Sequence, residues 1–117
     1  MSEYFYSLDA RKHYKDLEEA QKEMFQAFRN FNNEIFEKGS ALPRKVKELI
    51  AMGVAHTTQC PYCIEGHVRA AKKAGASDQE IAEAVFVAAA LRAGGAFAHS
   101  TIAMGVLEEM NRLEKEK

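Results

Sequence analysis

Between residues 14 and 35 the side chains Tyr14, Leu17, Gln21, Met24, Phe25, Phe28, Phe31 and Ile35 recur at spacings of three and four. That spacing returns side chains to one face of an α-helix and would scatter them over both faces of a strand. No segment of the chain sustains an alternation of period two, and helical spacing returns in every later stretch. The fold class is therefore all-α. The first helix is predicted from about Ala10 to about Lys38. "KGSALP" at 38–43 ends it, with Gly39 as its C-terminal cap.

Pro43 suits the first turn of a second helix that ends near Thr57. Val46, Leu49, Ile50, Gly53 and Val54 form one apolar face. The opposite face carries Glu48, Ala51, Met52 and Ala55 where a surface helix would be charged, so cover on both sides is expected. Pro61 opens a third helix, with Gly75 just past its end. "SDQE" at 77–80 reads as a capping box, Ser77 toward the backbone and Glu80 reaching back. It starts a fourth helix through Leu91, apolar on every side from Ala84 onward. Gly94 and Gly95 are read as a break, and a last helix is predicted to about Leu113. The whole, residues 1–117, is a single domain of about five to six helices. A helix apolar all round in so small a domain needs a second surface over it, which points to an oligomer.

Composition closes several routes. The formal net charge of −1 gives no support for nucleic-acid binding, which would call for a basic stripe, so no nucleic-acid partner is expected. The first residues lack a basic segment followed by an apolar one, so no signal peptide is expected. The longest uninterrupted apolar run noted, "AVFVAAAL" at 84–91, is shorter than the ~18 residues a membrane span needs. The expectation is a cytoplasmic protein without a membrane partner.

The chemistry concentrates in "HTTQCPYCIEGH", residues 56–67, which holds both cysteines of the chain. Cys60, Cys63 and His67 fall on the inward stripe of the third helix with Ile64, Val68 and Ala71. Backbone N–H groups and the helix dipole at a helix start favour a thiolate over a thiol. A thiolate beside a second thiol can attack a peroxide or a disulfide and be resolved as an intramolecular disulfide. His67, one turn after Cys63, is in reach to move the proton, and Glu48 on the adjoining helix could orient the imidazole. Packing alone would also account for two small side chains and an inward histidine. Zinc is a further reading, with two thiolates, an imidazole and a carboxylate as ligands. Against zinc, three of the four ligands crowd one short segment and no second Cys-x-x-Cys exists. Covalent haem would need a histidine directly after Cys63, where Ile64 stands.

Glu48, eleven intervening residues, Cys60-Pro61-Tyr62-Cys63, three more residues and His67 together resemble the signature of the AhpD-like alkylhydroperoxidases. These belong to the carboxymuconolactone decarboxylase superfamily. The likeness spans about 45 residues from Leu42 and continues into the Ala-rich helix, covering most of residues 41–107. It implies an all-helical fold assembling as a homotrimer or homohexamer, and a thiol-dependent peroxidase or disulfide oxidoreductase. Cys60 and Cys63 would be the redox pair, with Glu48 and His67 as the proton relay. No metal, haem or other cofactor is implied. A dithiol or lipoylated protein would serve as reductant.

Tyr62 stands where the best-known members carry a histidine, so that member of the relay does not carry over. Between the thiols, the helix start favours Cys60 as the activated thiolate, whereas nearness to His67 favours Cys63 for the attack, with Cys60 resolving; the second is the preferred reading. The alternative is a non-redox relative: a decarboxylase-like enzyme or a binding protein with idle thiols. The remaining histidines have simpler readings. His99 is expected buried or at an interface, His56 caps a helix end, and His13 lies on the surface.

Overall fold

The computed structural model describes residues 7–117, and every described element is helical. A 3-10 turn over Leu8–His13 leads into α1, Tyr14–Ala20, and α2, Lys22–Asn33. A five-residue π-helix, Glu34–Lys38, follows. Then come α3, Arg44–Thr58, α4, Pro61–Lys73, and α5, Asp78–Lys115. The all-α expectation holds. The single long first helix does not: Gln21 takes φ −146° and ψ 75°, which breaks it. Gly39 closes the π-helix in an extended conformation, φ −61°. Lys47 reaches in to donate to the Ile35 and Gly39 carbonyls, so a Cβ on Gly39 would lie 2.8 Å from the Lys47 ammonium, which is free to shift, and 3.0 Å from the Ile35 carbonyl.

The joint between α3 and α4 is tight. Gln59 adopts the left-handed region, φ 59°, and the Cys60 N–H bonds the Ala55 carbonyl at 3.1 Å. Arg92 of α5 donates to the Thr57 carbonyl at the open end of α3. After α4, Gly75 at φ +99° makes the turn that few other residues tolerate. The capping box is present as read: the Glu80 N–H bonds Ser77 Oγ at 3.0 Å, and Glu80 Oε1 accepts from the Ser77 N–H at 2.8 Å. Lys45 reaches across from α3 to Glu80 at 3.0 Å, tying the starts of α3 and α5 together.

No break occurs at Gly94 and Gly95; α5 runs on for 38 residues. Two glycines cost about 1 kcal/mol each inside a helix. "AALRA" before them is made of strong helix formers, and no Ser, Thr, Asp, Asn or Pro adjoins the pair, so the helix continues. Joined in this way, α5 contains an 18-residue window of mean hydropathy 1.5, enough by length and composition to cross a membrane. The sequence reading missed this because it treated the run as interrupted.

α3 packs against α4 on one side and α5 on the other, and the core lies between them. Its buried apolar residues are Met52, Ala55, Ala71, Ala76 and Ala88, with Glu48 among them. The face of α3 that buries is thus the one carrying Glu48, Met52 and Ala55. Its apolar face is not covered within the chain: Ile50 and Val54 stay about half exposed. With Ala84, Val87 and Leu91 they line an apolar groove of about 360 Å³.

Two further surfaces are apolar and open. Met24, Phe28 and Phe31 project from α2, and every residue from Leu91 onward is exposed, Phe97 at 81%. His99 lies in that exposed segment. The accessible area, 9450 Å², exceeds the about 6,400 Å² of a compact chain of 13.1 kDa. The radius of gyration, 20.6 Å, compares with about 13 Å for a compact domain of this length.

Candidate functional site

Each group of the site is placed by a helix end or a helix turn. Pro61 starts α4, and the residue before it, Cys60, is the N-cap, with φ −100° and ψ 101°. The Cys60 sulfur accepts the Cys63 N–H at 3.2 Å, a role usually filled by an oxygen. Cys60 and Cys63 are joined as a disulfide with their Cα atoms 5.3 Å apart. Cys63 is exposed and Cys60 half-buried, so the inward stripe read from the sequence is only partly buried at its start.

One turn on, His67 is partly covered, its side chain 31% exposed. Its Nδ1 lies 2.6 Å from Glu48 Oε2. Glu48 is 1% exposed, a carboxylate among apolar neighbours. An isolated buried carboxylate would be costly, and here both oxygens are occupied. Oε1 accepts from Arg44 Nε at 2.9 Å, and Oε2 faces the imidazole. Against the Glu48 carboxylate, the Arg44 guanidinium is held above its ordinary range. Of the four sequence-selected residues, Glu48 lies on α3, Cys63 and His67 on the paired helix α4, and Cys60 caps the start of α4.

Sequence reasoning missed three contributors. Arg44 precedes Glu48 by one turn, and that i,i+4 spacing of opposite charges was a legible signal. Phe36, in the π-helix, stacks on His67 with ring centroids 5.3 Å apart at 24°. No local spacing could reveal that contact. Arg11 reaches from the N-terminal turn to the Tyr62 carbonyl at 3.0 Å and to Glu65, with its guanidinium 5.9 Å from the Tyr62 ring centroid. Arg69, then Arg11, hold the Glu65 carboxyl below its ordinary value. Tyr62, between the cysteines, is thus partly buried with Arg11 against it. Among the described residues, no group of three or more His, Cys, Asp and Glu side chains is arranged to hold a metal ion. His56 Nδ1 lies 2.8 Å from the Met52 carbonyl of its own helix, and His13 pairs with Asp16.

This arrangement joins a dithiol–disulfide centre at a helix start to a carboxylate-anchored imidazole one turn later. Residues 22–105 match the carboxymuconolactone decarboxylase family. The chain is 49% identical over 85 residues to "Uncharacterized protein 4 in cox locus" of Paracoccus denitrificans, covering 73% of this chain and 76% of that one. A crystal structure of a protein from Methanobacterium thermoautotrophicum superposes with a TM-score of 0.68 at 30% identity, over 73% of this chain and 94% of that one.

Proposed function

Because this chain belongs to the carboxymuconolactone decarboxylase family, we propose that it is an AhpD-like dithiol oxidoreductase that reduces a peroxide through Cys60 and Cys63. The observation that carries this reading is the bonded cysteine pair one helical turn from an imidazole held by a buried carboxylate.

In the proposed cycle the Cys63 thiol gives its proton toward His67, and the thiolate attacks one oxygen of the peroxide. The O–O bond breaks, the sulfur becomes a sulfenic acid, and the departing alkoxide takes a proton to leave as an alcohol. The Cys60 thiol then attacks the Cys63 sulfur, the disulfide forms and water leaves. One peroxide and two thiols thus become one alcohol, one water and one disulfide. A dithiol donor reverses the oxidation: its thiolate attacks the exposed Cys63 sulfur, Cys60 departs as a thiolate, and the donor closes its own disulfide. The N–H that the Cys60 sulfur already accepts would stabilise that leaving thiolate. A lipoylated protein has the chemistry of such a donor. A reducing compartment, the cytoplasm, suits the cycle.

The reading includes assembly into a homo-oligomer, as trimers or hexamers. About 3,000 Å² more surface is open per chain than a compact chain of this mass would show, more than one partner contributes to a standard-size interface. Second copies of the chain would cover the apolar faces of α2 and α5.

Free thiols counted before and after one equivalent of peroxide test the proposal. Loss of two thiols per chain, reversed by a dithiol, supports it. An unchanged count removes it and leaves a non-redox member of the family with idle cysteines.

A further inference from the structure

Two contacts fix the His67 ring, and both lead to the same third residue. Glu48 Oε2 holds Nδ1 at 2.6 Å, and the Phe36 ring stacks on the imidazole. Arg44 touches both of these partners. Its Nε donates to the other oxygen of Glu48 at 2.9 Å, and its guanidinium carbon lies 5.8 Å from the Phe36 ring centroid. Its NH1 also donates to the Phe36 carbonyl at 3.3 Å, with Glu37 at 3.4 Å.

We propose that Arg44, Glu48, His67 and Phe36 form a closed frame in which Arg44 is the positioning residue that holds the imidazole in one orientation and one tautomer. The frame deepens the dithiol reading and rests on it for its consequence for turnover. A planar guanidinium can donate from Nε to one group and from NH1 to another at a set angle, which an ammonium cannot reproduce. Because Oε1 is committed to Arg44, the carboxylate of Glu48 cannot rotate away from the ring. An ionised Glu48 can only accept, so Nδ1 carries a proton and Nε2 is the nitrogen left to exchange one. Phe36 then limits tilt of the ring. The π-helix that carries Phe36 is itself held from α3: Lys47 donates to the Ile35 and Gly39 carbonyls beside the Arg44 bond to Phe36. A wide turn of this kind is uncommon and often sits at functional sites.

The test uses the full chain with 15N-labelled histidine and the variants Arg44→Gln, Arg44→Lys and Phe36→Leu. In wild type the His67 ring nitrogens are expected to report a single tautomer protonated at Nδ1. In Arg44→Gln they should report a mixture of tautomers, and in Arg44→Lys only a partial return to the wild-type pattern. Phe36→Leu, which leaves α3 untouched, should broaden the same signals. In peroxide-dependent oxidation of dithiothreitol, Arg44→Gln should lose about 10- to 100-fold in kcat with KM unchanged, as partners behind a reacting group typically do. His67 signals identical to wild type in Arg44→Gln, or in Phe36→Leu if the first variant does not fold, overturn the frame. Absence of turnover in wild type would remove the peroxidase reading instead, and the nitrogen signals would still decide the role of Arg44.

Discussion

His67 Nδ1 and Glu48 Oε2 meet at 2.6 Å across nineteen positions of sequence, one partner 31% exposed and the other 1%. The buried carboxylate faces the one histidine that stands a turn from the cysteine pair. Replacing Glu48 by Gln keeps the shape but not the acceptor charge. We expect peroxide-dependent disulfide formation, followed by rapid mixing, to slow by about 10²-fold or more, the usual contribution of a positioned acid–base group. A rate within twofold of wild type would separate Glu48 from the chemistry.

The two cysteines should behave differently when each is made alone. Cys60→Ser leaves the exposed Cys63, and one equivalent of peroxide should convert it to a sulfenic acid, detected by mass after labelling with a 1,3-dione. Cys63→Ser should show no such adduct and no fast reaction. If Cys63→Ser instead reacts at the wild-type initial rate, the attacking sulfur is Cys60.

Light scattering should give a mass that is a multiple of the 13.1 kDa chain. Phe97 of α5 is 81% exposed within one chain, and we expect a second copy to cover it. Burying such a ring contributes about 2–3 kcal/mol. Phe97→Asp should therefore raise the concentration at which the assembly dissociates by roughly 30-fold or more. A monomeric wild type in aqueous buffer would sink this expectation. Solubility only in detergent would instead favour a membrane as the cover for α5.

Acid should weaken the molecule partly through the start of α5. The Ser77 N–H, then Lys45, hold the Glu80 carboxyl below its ordinary 4.5. A carboxyl lowered on folding adds stability above its unfolded value and loses it as pH falls through the folded one. Thermal melting of wild type should drop more as pH falls below that ordinary value than that of Glu80→Gln. Parallel curves would show that Glu80 does not couple to folding. At neutral pH, Ser77→Ala should cost about 1 kcal/mol through loss of the cap.

Gln59 occupies the left-handed region between α3 and α4 with a side chain that disfavours it. Gln59→Gly should raise stability to chemical denaturation by roughly 0.5–1 kcal/mol, because glycine meets no Cβ penalty there. A lower midpoint would mean that the Gln59 side chain makes a contact that outweighs this strain.

Local rules made most of the elements legible. Pro43 just before α3, Pro61 as the first residue of α4, the Ser77–Glu80 box and Gly75 are each settled within one turn of chain, so they read directly. The same holds for the shared stripe of Cys60, Cys63 and His67, since α4 alone phases them. Gln21 and the Gly94–Gly95 pair went the other way. A break or a continuation there depends on the balance of many weak preferences over neighbouring turns, which no single residue announces.

Taken alone, the sequence determined the fold class, the capping sites and the four residues from which a redox site could be built. The tertiary structure decided how they meet: which face of α3 is buried, that Arg44 takes the second oxygen of Glu48, and that Phe36 lies on the imidazole. The physical reason is range. Helical phase is set by contacts three or four residues apart, whereas the Phe36–His67 stack joins side chains that only the packing of separate elements brings within 5.3 Å.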